Sequence, residues 1–264
     1  MPRKRAYITL GITLCALVGV ALLFAGKAAY LSRIEEASVP TAPRGWVQGN
    51  TTSNSHNYKD TLANLESERI ELASRYQQAA SAEQRAAIIA EARSVITRSI
   101  YTDLFPAWYG TPWDFNGTSE VPQQGKIACG YFVSTVLRDA GLRVERVRLA
   151  QQASENIILS LTTERFVRRF RHVAIGEFVK AVKDYGPGIY VVGLDIHVGF
   201  IVNTGDEVYF IHSSYVEPYM VVKEKALEST ILAGSKYRVL GNIFADDSSI
   251  NNWLGQTKIP TRIA

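Results

Sequence analysis

Cysteine is scarce in this chain: its 264 residues hold two, Cys15 and Cys129, beside two methionines and four histidines. Two cysteines cannot build a disulfide framework, and neither lies in the paired spacing of a structural zinc site. A large charge of one sign is also missing. The formal net charge of +4 is too small an excess to demand a nucleic-acid partner. No phosphate-cradling Gly loop, dinucleotide fingerprint or internal repeat occurs. The sequence therefore implies no metal, no cofactor and no nucleic acid. What is present is 47% hydrophobic and 20% charged, a globular composition.

The chain opens Pro2-Arg3-Lys4-Arg5 and runs without a charge from Ala6 to Gly26. About 20 apolar residues suffice to span a bilayer as a helix. The basic residues before the span favour a cytoplasmic N-terminus, which places the rest outside the cytoplasm, periplasmic or extracellular. Residues 1–28 are read as a cytoplasmic stub and single-pass anchor, with a cleaved signal and secretion as the alternative. Residues 29–58, broken by Pro40, Pro43, Gly45 and Gly49, read as a flexible linker. Residues 59–102 read as a helical pair, its second member opened by a capping box of Ser81 and Gln84. Residues 103–248 form the main domain, and 249–264 a C-terminal tail.

Within the main domain the pattern predicts a helix from Cys129 to Ala140 stopped at Gly141, and a second helical region over Thr163–Asp184. The period then changes. Runs at Gly188–Gly193, His197–Val202, Val208–His212 and Tyr237–Phe244 predict strands, the second and third joined at Thr204-Gly205-Asp206. Helices first and an antiparallel sheet after them give an α+β fold.

Cys129, at the first turn of its helix, is the one cysteine outside the apolar N-terminus. A helix N-terminus favours thiolate, and a neighbouring imidazolium lowers a thiol further. A lone cysteine is more often a small buried hydrophobe, so the reading depends on partners. His197 and His212 supply them, fifteen residues apart (212 − 197) on adjacent strands. Directly opposed side chains of such strands lie within about 5.5 Å. One ring can then act as base and the other hold its tautomer. Gly199, on the His197 face, is expected to leave that face open. His172, among Arg168, Arg169 and Arg171, reads as part of a solvated basic face, as do the basic stretches at Arg143–Arg148 and Arg165–Arg171.

Five short blocks, in order, carry a family resemblance. Gly110-Thr111-Pro112-Trp113-Asp114-Phe115-Asn116-Gly117, Cys129-Gly130-Tyr131-Phe132-Val133, the strand led by Pro187, His197-Val198-Gly199, and Phe210-Ile211-His212-Ser213 resemble the NlpC-type cysteine peptidases. Those are papain-like-fold enzymes that cut cell-wall peptides. The resemblance implies a papain-like core, Cys129 as nucleophile, His197 as base and His212 as its orienting partner. It departs at Ala128 and Gly130, where the family usually has Asp and Ser, and at Phe115, where it often has Tyr. Oxyanion stabilisation and substrate binding then fall to the Cys129 N–H with Asn116, Trp113, Tyr109 or Gly130. The function this implies is a membrane-tethered Cys-His-His thiol hydrolase, a cysteine peptidase or amidase acting on peptidoglycan stem peptides or another acyl or peptide substrate. The alternative is a non-catalytic envelope binding or scaffold protein on the same fold. Protein partners are not legible.

Overall fold

The computed structural model describes residues 55–263. The apolar run at residues 6–26 and most of the linker lie outside them. Among the described residues no helix is long and apolar enough to cross a membrane.

Two helices come first, α1 at Ser55–Gln78 and α2 at Ala82–Ser99. The capping box forms in a shifted way. The Gln84 backbone N–H donates to Ser81 Oγ at 3.2 Å, while Gln84 Oε1 accepts from the Ala80 N–H at 2.8 Å rather than from Ser81. The helical pair is fastened to the core by buried contacts. Tyr58 donates to Asp139 Oδ2 at 2.7 Å and accepts from Trp108 Nε1 at 3.1 Å. The exposed pairs Arg75–Glu91 and Arg98–Glu68 add little, because solvent screens them. A π-turn at Ile100–Leu104 leads from α2 into α3, Phe105–Trp108.

The sheet has six strands, each neighbouring pair antiparallel. In chain order these are β2 Val167–Arg171, β3 Gly188–Leu194, β4 Val198–Asn203, β5 Val208–Ser213, β6 Val221–Lys225 and β7 Tyr237–Asn242. Their spatial order is β2-β7-β3-β4-β5-β6. A short parallel pair, β1 Arg143–Val144 with β8 Lys258–Ile259, stands apart. Helices cover both faces of the main sheet. On one face Val191, Phe200 and Ile211 join the core of Phe105, Phe132 and Trp108, which includes α4, Cys129–Asp139. On the other, Tyr190, Ile201 and Phe210 meet Phe178 of α7, Ile175–Asp184, and Leu232 of α8, Thr230–Gly234. Burial on both faces explains why β3 and β4 read as unbroken apolar runs rather than alternating ones. The α+β expectation stands as an antiparallel sheet with helices packed against it.

The helix expected over Thr163–Asp184 is half strand. Val167–Arg171 pairs with Gly241–Tyr237, and only Ile175–Asp184 is helical. The reason is an alternation of period two at a sheet edge. Phe170 packs edge-on to Phe178 at 5.0 Å, while Arg169 points out to Glu155 and Glu164. Basic residues on an edge strand also discourage pairing with other chains. Two short helices, α5 Arg146–Ala150 and α6 Ser154–Leu161, precede that strand. Structure continues past residue 248: α9, Asp247–Leu254, buries Trp253, whose Nε1 donates to the Ala140 carbonyl at 2.7 Å.

Candidate active site

Cys129 is the first residue of α4, after Ala128 in extended backbone. Two contacts hold that junction. Ala128 N–H donates to the Gly117 carbonyl at 2.9 Å, and Ser213 Oγ at the end of β5 donates to the Ile127 carbonyl at 2.7 Å. Gly130 is required by close packing. A Cβ there would stand 2.3 Å from the Ala150 carbonyl oxygen, so the serine the resemblance leads one to expect would not fit. Arg146, buried in α5, braces the same region with Nη2 donating to the Thr118 and Ser119 carbonyls at 2.8 Å and Nε to Thr135 at 2.7 Å.

The two histidines meet. His197 Nε2 and His212 Nδ1 lie 2.9 Å apart, with ring centroids at 5.0 Å and planes at 87°. They are not directly opposed as the hairpin reading assumed. The β4–β5 register pairs Phe200 with Ile211, so Gly199 faces His212 and His197 is its diagonal neighbour. The diagonal is bridged because the space over Gly199 is filled. A Cβ at Gly199 would stand 2.7 Å from Phe210 Cε2 and 2.8 Å from His212 Cβ. The expectation that Gly199 keeps this face open is therefore corrected: its missing side chain admits protein, not substrate. His212 stacks on Phe210 at 4.0 Å and 11°, which orients its ring.

A third group extends the line. His212 Nε2 lies 3.2 Å from Glu224 Oε1 on β6. Burial acts to raise the Glu224 carboxyl, but hydrogen bonds with His212 and Ser229 together hold it below the ordinary glutamate value. Burial keeps His212 below the ordinary imidazole value against the pull of Glu224. Burial first, and the neighbouring His212 second, hold His197 well below it. The tautomers follow. An ionised carboxylate only accepts, so a neutral His212 carries its proton on Nε2 and presents a lone pair at Nδ1. His197 must then donate from Nε2, which leaves its Nδ1 as the basic nitrogen.

Cys129 and His197 both line a cavity of about 630 Å³, together with Trp113, Asn116, Gly130 and Tyr215. The backbone N–H groups of Val198, Gly130 and Cys129 itself act to lower the thiol's value, and Val198 is the residue next to His197. Among the described residues the sulfur has no imidazole hydrogen-bond partner. Burial pushes the thiol above its ordinary value, and the three N–H groups offset this only in part. The expected thiolate is thus corrected: at the N-terminus of α4 desolvation outweighs the helix dipole. At neutral pH the thiol and both imidazoles are uncharged.

Of the residues assigned to oxyanion or substrate contact, Asn116, Trp113 and Gly130 reach the cavity. Tyr109 does not line it. It caps α3 and packs on the core, where burial raises its hydroxyl well above the ordinary value. His172 is exposed, and Arg169 and Arg165 pair with carboxylates. Glu224 and Tyr215 were not found from the sequence. Tyr215, two residues after Ser213, packs edge-on to His197 at 5.0 Å. Among the described residues no group of three or more His, Cys, Asp or Glu side chains is placed to hold a metal ion. No family model, no curated protein and no solved structure matches this chain.

Proposed function

We propose that this chain is a thiol acyl hydrolase built on a papain-like, NlpC-type core, with Cys129 as nucleophile. The observation that carries the reading is the line Glu224–His212–His197, hydrogen-bonded at 3.2 and 2.9 Å and ending in the cavity that also holds Cys129. A buried neutral base sharing a cavity with a half-buried neutral thiol suits proton transfer during attack rather than a resting ion pair. The Cys129 sulfur attacks an acyl carbon while His197 Nδ1 takes the thiol proton and then delivers it to the leaving group. Water, activated by the same nitrogen, releases the acyl group from sulfur. His212 and Glu224 are positioning residues that fix which nitrogen of His197 is basic. The Cys129 N–H and the Asn116 amide are the proposed oxyanion donors, and Trp113 and Gly130 shape the cleft. From the resemblance, amides of peptidoglycan stem peptides are the first substrates to test. Residues 6–26 are proposed to tether the domain to the membrane from outside the cytoplasm.

A second reading, a non-catalytic envelope binding protein on the same fold, is favoured by one specific observation. The Cys129 thiol is half-buried, desolvation holds it protonated, and among the described residues no imidazole hydrogen bond reaches it. The two readings separate on turnover. Full-length protein is incubated with stem peptides and with simple acyl amides and esters, alongside Cys129→Ala and alkylated protein. Hydrolysis lost in both treated samples supports the hydrolase. Peptide binding that Cys129→Ala leaves intact, without hydrolysis by any sample, supports the binding protein.

A further inference from the structure

The chemistry of the cavity wall goes beyond the resemblance. Among the described residues no Asp, Glu, Lys or Arg lines the cavity around Cys129. Its apolar surface comes chiefly from Trp113, Phe115, Tyr131, Ile196 and Tyr215, and its remaining polarity from amide, hydroxyl and imidazole groups. Charges on flanking residues are spent internally. Asp114 pairs with Lys126 at 3.2 Å, and the Arg146 guanidinium lies under Tyr131 at 4.9 Å while bonding backbone carbonyls. Phe115 and Ile196 are each 80% exposed although both are large and apolar. Two such side chains at one mouth form a surface that pays in water unless something apolar covers it. An ionised substrate group inside this wall would lose its hydration with no counter-charge to replace it.

We infer that the acyl group transferred to Cys129 is uncharged and apolar along its chain, an aliphatic acyl ester or amide rather than a stem peptide carrying carboxylates at the cleft. This rests on the thiol-hydrolase reading. The step balances without any further reactant than water. The sulfur–acyl bond forms as the acyl–oxygen or acyl–nitrogen bond breaks, and the thiol proton leaves with the alcohol or amine. Water then splits the thioester into a fatty acid and free Cys129. A second cavity of about 320 Å³ shares Ile196, His197 and Tyr215 with the first but is also lined by Asp195, so the uncharged wall belongs to the first cavity and sets the acyl chain there.

The test has two arms on the full chain. In the first, turnover is followed with nitrophenyl esters of acetate, butyrate and hexanoate against the hemisuccinate. In the second, Cys129 alkylation by N-ethyl, N-hexyl and a length-matched N-carboxyalkyl maleimide is measured by peptide mass spectrometry and normalised to N-acetylcysteine. Each methylene that is buried contributes about a fourfold gain, so hexyl should exceed ethyl by at least ~10-fold even with partial burial. The carboxyalkyl reagent should fall back to the ethyl rate, and Ile196→Asp, at an exposed site, should erase most of the gain. Hydrolysis of hemisuccinate as fast as hexanoate would overturn the substrate class and leave the hydrolase standing. Preferential hexyl alkylation without turnover of any ester would overturn the hydrolase and support an apolar occupant. A flat alkylation series with no turnover would overturn both.

Discussion

Glu224→Leu removes the acceptor that sets the tautomers of both histidines while leaving the cavity wall untouched. In the native line, Glu224 Oε1 lies 3.2 Å from His212 Nε2 and its side chain is 35% exposed. A hydrogen bond to a charged group contributes about 1.5–3 kcal/mol. The length and the partial exposure place this one near the lower end, since solvent screens it. Losing about 1.5 kcal/mol of tautomer preference lets His212 carry its proton on Nδ1 roughly ten times more often. His212 then donates to His197, whose own proton must move to Nδ1, and the base is lost. A preference of that size keeps about nine-tenths of the protein in the active tautomer and its loss leaves about half, so the expected result is a kcat about twofold lower at unchanged KM, measured on whichever acyl substrate is turned over. Glu224→Gln keeps an oxygen at the same place and should stay at the wild-type kcat, because an amide oxygen still accepts. A folded Glu224→Leu protein with wild-type kcat would refute the tautomer argument. So would a Glu224→Gln protein as impaired as the leucine variant.

Three further outcomes follow from the same geometry. Gly199→Ala places a methyl 2.7 Å from the Phe210 ring and 2.8 Å from His212 Cβ, an overpacking cost of about 1–3 kcal/mol. Urea denaturation should show it, and an unchanged midpoint would contradict the filled face. Tyr58→Phe strands a buried Asp139 oxygen and the Trp108 N–H, costing about 2 kcal/mol; equal stability to wild type would mean that α1 is not fastened there. Stability should also fall in acid. His197 and His212 are held below their ordinary value in the fold, so the unfolded chain binds more protons. Their contribution is present above about pH 6.5 and is lost as pH drops toward the folded values. His197→Gln should flatten the decline between about pH 7 and pH 5, and equal slopes in the two proteins would count against it. Cys129 acts at the other end: its raised value makes its contribution present below the ordinary thiol range and lost as pH rises through the folded one.

The sequence made the sheet legible where strands were bounded by turn residues. Gly205, at φ +95°, turns β4 into β5 at the expected place. Cys129 heading a helix closed near Gly141 was legible too, because the apolar stripe of Phe132, Val133, Val136 and Leu137 has the helical period and Gly141 adopts φ +90°. Strand β2 was hidden since four arginines in Arg165–Arg171 resemble an exposed helix face, and its partner β7 lies some seventy residues on. Among site residues, His197 and His212 were found from their spacing. Glu224 was not, for Val221–Lys225 has neither turn signals nor a long apolar run. Its meaning exists only in the register, which places Glu224 opposite Phe210, diagonal to His212. Burial decided the rest. Helix position alone predicts an acidic thiol, whereas the enclosed setting of Cys129 makes it a weak acid.

The central claim is that Cys129 carries an acyl group with His197 as its base. The direct test mixes full-length protein with an activated acyl ester, quenches at intervals and weighs the Cys129 peptide in wild type and His197→Gln. Wild type should gain one acyl mass on Cys129 that builds, decays as product appears and reloads with fresh ester, while His197→Gln should load at least ~100-fold more slowly, the usual scale of a lost general base. A wild-type Cys129 peptide that never gains the acyl mass, or one that loads equally fast without His197, would contradict the account and leave the binding protein as the better description.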